Sequence, residues 1–166
     1  MLTGTLRPAV ESELPALTEI YNEAIRNGAC TSDLREFSVD ERLPWFREHQ
    51  DPAWPLLVFE TGSRAAGYVY LTPYRKGREA LRHVAEISYY VDFRCQGCGV
   101  GNTLLTHGIE EARRLGYQKL LAILLSCNAR SAALLRKHGF TQWGCLPDVA
   151  ELPRGVCSHL YYGLTL

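Results

Sequence analysis

No stretch of this 166-residue chain approaches the ~18 consecutive apolar residues of a membrane-spanning helix. An excess of charge is lacking too: Lys plus Arg number 18 and Asp plus Glu number 18. A neutral sum argues against nucleic acid or an anionic membrane as the main partner, while leaving room for a local basic pocket. The start, "MLTGTLRPAV", has neither the basic leader nor the apolar block of a signal peptide, so a cytoplasmic setting is expected. Repeats, low-complexity tracts and linkers are also missing, and residues 1–166 read as a single domain. With 46% hydrophobic and 22% charged residues, the chain has the balance of a soluble globule able to bury a core.

Cysteine is too sparse for a small disulfide scaffold. The six are scattered at Cys30, Cys95, Cys98, Cys127, Cys145 and Cys157. Only Cys95 and Cys98 form a C-x-x-C, inside "RCQGCGVG" at 94–101. A structural zinc site needs four ligands, and no second C-x-x-C or H-x-x-x-H supplies the other pair. A redox pair of the thioredoxin kind would open a helix early in a βαβ unit, and this one comes late among glycines. The same octapeptide also reads as Q-x-x-G-x-G, a loop suited to phosphate.

Periodicity orders the elements as β-α-α-β-β-β-α-β-α-β-β, an α/β domain with a mixed sheet. "TLRPAV" (5–10) is the first strand. A helix follows, with Ser12 as its cap, Leu14, Leu17, Ile20, Tyr21, Ala24 and Ile25 on one face, and Gly28 at its end. Ser38 caps a shorter helix carrying Leu43, Trp45 and Phe46 inward, with Pro44 as a candidate break or bend. "WPLLVFE" and "AAGYVYLTPY" form a hairpin, and Val84 to Asp92 is a β-rich run. The glycine loop then opens a helix from Val100, capped by Gly116. "KLLAILL" is a buried strand, "NARSAALLRKHGF" a helix stopping at Gly139, and two strands around Pro153–Gly155 finish the chain.

A strand before the glycine loop and a helix after it favour the phosphate reading. The first amides of a helix have no internal partners and sit at the positive end of its dipole. The loop is too short for a P-loop, and no G-K-[ST] follows. It comes after the fourth strand signal, whereas a dinucleotide fold places its fingerprint after the first.

The remaining arrangement is Q-x-x-G-x-G after a central strand, then a helix, an apolar strand and an Asn-led helix ending in Gly-Phe. On "QGCGVG" (96–101) and "NARSAALLRKHGF" (128–140) the chain resembles the GNAT superfamily of N-acetyltransferases. It is most similar to the phosphinothricin and methionine sulfoximine acetyltransferases, through "IYNEAI" (20–25), "WF" (45–46), "GYVYL" (67–71) and "LRHVAEISYYVDFRCQGCGVG" (81–101). That resemblance implies a mixed sheet of about seven strands, splayed between the fourth and fifth, with about four helices. It implies acetyl-CoA as co-substrate, no metal, a small-molecule amine as partner and a homodimer. The pyrophosphate would lie against Gln96, Gly97, Cys98, Gly99, Val100, Gly101 and Asn102. The pantetheine arm would run along Tyr89, Tyr90 and Val91, held by Asn128 and Ser131. An N–H near Val91 would polarise the thioester carbonyl.

Under the same resemblance Glu86 is the general base that relieves the attacking ammonium of its proton. Arg82 is the carboxylate clamp, with Tyr74, Arg75 and Ser88 beside the acceptor. Two departures mark the chain. Leu135 stands where relatives carry Tyr or His, leaving Tyr89, Tyr90, His138 or water to protonate the leaving thiolate. The C-terminal "GVCSH" at 155–159 replaces a G-x-W-x-D that shapes the acceptor pocket. Acetylation of a peptide N-terminus and a non-catalytic CoA sensor therefore stay open as alternatives.

Overall fold

The computed structural model describes residues 2–166; Met1, the first residue of the expected domain range, lies outside them. The elements run β1 (Thr5–Pro8), α1 (Leu14–Asn27), α2 (Val39–Glu48), β2 (Leu56–Thr61), β3 (Arg64–Pro73), β4 (Val84–Val91), α3 (Val100–Arg114), β5 (Lys119–Leu125), α4 (Ala129–Lys137), β6 (Thr141–Leu152) and β7 (Gly155–Thr165). The seven strands form one sheet in the order β1-β2-β3-β4-β5-β7-β6. Among the described residues only the β4–β5 pair is parallel. This is the mixed α/β sheet with four helices that the sequence implied.

Helices cover both faces. On one side Leu14, Leu17, Ile20 and Phe46 of α1 and α2 pack with Leu56, Val58, Ala65 and Tyr68 of the sheet. On the other, Val100, Leu104, Leu105, Ile109 and Ala112 of α3 and Leu135 of α4 pack on Val69, Leu71, Ala85, Ile87 and Leu120. Along β3 the side chains change parity at a bulge between Phe59 and Glu60 of its partner β2. Ala65, Tyr68 and Tyr70 therefore face α1 and α2, while Ala66, Val69 and Leu71 face α3.

Several local expectations hold and three need correcting. Ser38 caps α2 by accepting from the Glu41 amide at 3.3 Å, and Glu41 returns the bond to the Ser38 amide at 2.8 Å. Gly28 ends α1 with φ 71°, and Gly139 follows α4 with φ 85°. Ser12 does not cap α1: it lies within a short 3-10 turn, Glu11–Glu13, that runs directly into the helix at Leu14. Pro44 does not break α2, which continues to Glu48; the ring removes one backbone donor, but Phe46 and Arg42 beyond and before it anchor the helix to the core. β1 stops at Pro8, two residues short of the expected Val10.

Candidate active site

β4 and β5 pair only over Val84–Glu86 against Lys119–Leu121. Beyond Glu86 they part, although β4 continues to Val91 and β5 to Leu125. β5 instead keeps full register with β7 as far as Leu125. The opening between the parted strands is a cleft of about 430 Å³, walled by Ser88–Val91 and Ala122–Leu124. On the β3 side, the Asp92 amide donates to the Ala66 carbonyl at 3.0 Å, extending the antiparallel ladder. Bonded pairs then fall on even residues, so the N–H and C=O groups of Tyr89 and Val91 point into the cleft. An unpaired strand edge of this kind accepts an extended ligand as a further strand would.

The glycine loop closes one end. Asp92 accepts from the Arg94 amide at 2.8 Å and from its guanidinium at 2.6 Å, and Glu23 accepts from the Phe93 amide at 3.1 Å. Arg94 accordingly holds the Asp92 carboxyl below the usual range. From this pinned corner the chain enters α3 through Gly97 (φ 78°) and Gly99 (φ 92°). A left-handed φ at Gly99, immediately before Val100, turns the backbone so that consecutive amides face one way. Gly101 serves packing instead: a Cβ there would stand 3.2 Å from the Leu134 side chain of α4, a tight contact. The amides of Gly97, Gly99, Val100, Gly101 and Asn102 donate to no acceptor among the described residues. They converge with the positive end of the α3 dipole on the cleft, an arrangement that fits a diphosphate.

Arg130 strengthens that fit. It sits in the first turn of α4, where a cation opposes the helix dipole, and its guanidinium donates to the Gln96 side chain across the cleft mouth. Lys137 and His138 meet the Asn102 side chain at 2.9 and 3.2 Å. Asn128 caps α4 by accepting from the Ser131 amide at 3.1 Å. Ser131 in turn lies 2.6 Å from the Tyr89 hydroxyl. Burial pushes the Tyr89 phenol up to about 12, so it stays protonated at neutral pH. Of the hydroxyls considered for proton donation, Tyr89 is the one on this face; Tyr90 packs edge-on to Tyr21 and tilted against Tyr68 on the other. Leu135 is 1% exposed and lines the cleft without a polar atom.

Glu86 occupies the last paired position before the strands part. Alternation turns it, with Ser88 and Tyr90, toward the α1–α2 face. Its carboxylate has no hydrogen-bond or ion-pair partner among the described residues, and burial raises its pKa above the ordinary glutamate value.

The structure thus brings Ser88, Tyr89, Tyr90, Val91, Gln96, Gly97, Gly99, Gly101, Asn102, Asn128 and Ser131 to one cleft. The Val100 side chain is in the core, leaving only its amide for a ligand. Cys98 does not line the cleft, and its thiol donates to the Gln96 carbonyl at 3.7 Å. Cys95 is buried and accepts from Arg64 at 3.3 Å. Among the described residues no three His, Cys, Asp or Glu side chains converge as metal ligands would. Arg75 and Arg82 line a separate, shallow hollow at the β3–β4 connection with Trp54 and Tyr117, and Tyr74 begins that connection by donating its amide to the Val84 carbonyl at 3.2 Å. Sequence reasoning missed Arg130, Cys30 and Phe93 in the cleft. Arg130 carried a signal, being a cation at a helix start; Cys30 and Phe93 carried none.

Comparison with known proteins agrees with this geometry. The model of the acetyltransferase (GNAT) family matches residues 14–140. The L-methionine sulfoximine/L-methionine sulfone acetyltransferase of Salmonella typhimurium is 36% identical over 145 residues, spanning 87% of this chain and 84% of that protein. The L-amino acid N-acyltransferase MnaT of Escherichia coli is 32% identical, with 87% and 84% covered. Among solved structures, the phosphinothricin acetyltransferase of Sinorhizobium meliloti in complex with acetyl-CoA superposes with a TM-score of 0.93 at 28% identity, covering 99% of this chain and 89% of that one. The chain belongs to the GNAT family and is an acetyl-CoA-dependent N-acetyltransferase.

Proposed function

We propose that this enzyme acetylates the amino group of a free amino acid or analogue of the methionine sulfoximine and phosphinothricin kind, with Glu86 as general base. Relatives of 36% and 32% identity carry names of that substrate class. When bound, acetyl-CoA supplies the thioester carbonyl that an amine attacks. The chain's own groups do the rest. The amides of Gly97 and Gly99–Asn102, with Arg130, hold the diphosphate; the edge of Tyr89–Val91 aligns the arm; Asn128 and Ser131 border it. The Val91 N–H donates to the carbonyl oxygen as charge develops there. Glu86 accepts a proton from the substrate ammonium through a water, and Tyr89 is the protonated hydroxyl beside the leaving sulfur. Ser88 lies on the acceptor side of β4, and Tyr74, Arg75 and Arg82 belong to the β3–β4 connection that precedes it.

One observation carries this reading: an unpartnered carboxylate with a raised pKa at the point where the cleft begins. A base needs a pKa brought toward the working pH and no cation to quench it. The test is a thiol-release assay with acetyl-CoA over an amino-acid panel that includes methionine sulfoximine, methionine sulfone and phosphinothricin. Turnover with one of these, and acetylated product by mass, is the expected result. Calorimetric binding of acetyl-CoA with no amine in the panel acetylated would favour a sensor instead, the reading that Leu135 invites.

A further inference from the structure

One buried cation in this protein has no anion. Arg42 projects from α2 to the sheet and is 8% exposed. Its guanidinium carbon lies 3.8 Å from the centroid of the Trp45 ring and 4.3 Å from that of Tyr21. Nη2 donates to the Tyr68 hydroxyl at 3.4 Å, a long bond. Nε is buried without a partner. Nη1 also lacks a protein partner but is not sealed from solvent, so this end of the fork faces outward. No carboxylate among the described residues pairs with it. A desolvated guanidinium without a counter-ion is costly, and the two aromatic faces offset only part of that cost.

Its position gives the cost a purpose. Tyr70 packs edge-on to Trp45 at 5.4 Å and pairs with Ser88 in the β3–β4 register. Glu86, two positions before Ser88 on β4, turns to the same face of the sheet as Tyr70. Arg42 and Glu86 therefore flank one aromatic wall on the α1–α2 face. A free amino acid carries its carboxylate one carbon from its amine. An arginine whose Nη1 is reached by solvent can hold that carboxylate there through a charge-assisted bond, stronger than the long Tyr68 bond of Nη2. Arg82 is less suited: it is exposed and donates to the Glu79 carbonyl of its own loop at 3.3 Å.

We propose that Arg42 binds the α-carboxylate of the acceptor and so selects amino acids over plain amines. The inference rests on the reading above that the acceptor is an amino acid. It is tested on the full chain by comparing methionine sulfone with its decarboxylated counterpart, 3-(methylsulfonyl)propan-1-amine. The wild-type enzyme should prefer methionine sulfone, a measurement that needs no variant. In Arg42→Gln, kcat/KM for methionine sulfone should fall by about 10- to 100-fold, mostly through KM, the scale of one charged hydrogen bond. The amine should change by less than about threefold, and Arg42→Lys should restore part of the preference. A parallel loss on both substrates would make Arg42 a structural strut and overturn the proposal; so would Arg82→Ala erasing the preference while Arg42→Gln keeps it. A wild-type enzyme that acetylates both equally well overturns the carboxylate anchor and leaves the amine acetyltransferase standing. One that acetylates no amine overturns both.

Discussion

On β4 the odd residues turn toward α3 and α4, and the even residues toward α1 and α2. The odd side offers the cofactor backbone: amides at the α3 N-terminus and the free edge of Tyr89 and Val91. On the proposed reading the even side meets the acceptor with side chains: Glu86, Ser88, Tyr70, Trp45 and Arg42, drawn from three elements. Backbone recognition tolerates substitution as long as the conformation survives. Side-chain recognition changes with one residue. A family built this way can keep its co-substrate and vary its acceptor.

The sharpest way to separate the two sides is Glu86→Gln. Turnover should fall about a hundredfold or more while acetyl-CoA affinity, read by calorimetry, stays within about threefold. The pH profile adds a second readout. Glu86 acts as a base only when ionised, and burial raises its pKa. Wild-type rate should therefore fall on acidification at a higher pH than an ordinary glutamate would give, and that limb should vanish in the variant. Stability moves the opposite way. A carboxyl whose folded pKa is raised binds its proton more tightly when folded, so its contribution declines as pH rises from the unfolded value through the folded one. Glu86→Gln should thus raise Tm at neutral pH, with the gain shrinking toward pH 4. Equal losses of turnover and acetyl-CoA binding would place Glu86 on the wrong side of the comparison.

The same division explains what was legible in the sequence. The cofactor side is local: Gln96 to Asn102 are contiguous, and Asn128 and Ser131 share one helix turn, so the short motifs that carry the family resemblance implied them. Strand and helix order followed from periodicity, because each apolar stripe meets a sheet face. The acceptor side is nonlocal. Arg42 and Glu86 are far apart in the chain, and only the order β2-β3-β4 under α2 brings them to one wall. The resemblance implied Arg82 as the carboxylate clamp; burial, which sets Arg42 apart, cannot be read from a charge pattern. Ser12 misled because a capping residue type in a 3-10 turn looks the same in sequence as one at a helix start.

A milder perturbation of the cofactor side is Gly99→Ala. Gly99 holds φ 92°, a conformation in which a Cβ brings strain of about 1 kcal/mol. Relaxing it tilts the amides at the head of α3. Acetyl-CoA Kd should rise about fivefold, the equivalent of that energy, while the preference between acceptors stays unchanged. A shifted acceptor preference would mean that the two sides of β4 are coupled through the loop.

The smallest effect belongs to Cys98→Ser, which asks whether the loop is a backbone site or a thiol site. Cys98 contributes no side chain to the cleft, and its thiol makes one weak bond to the Gln96 carbonyl at 3.7 Å. A serine hydroxyl can donate to the same carbonyl, and the half-buried position leaves room for solvent. Both acetyl-CoA Kd and kcat/KM should therefore stay within about twofold, the scale of a substitution away from any packing or binding contact. A tenfold loss in either, or the departure of stoichiometric zinc from the purified protein, would show that the thiol of this loop binds something its amides do not.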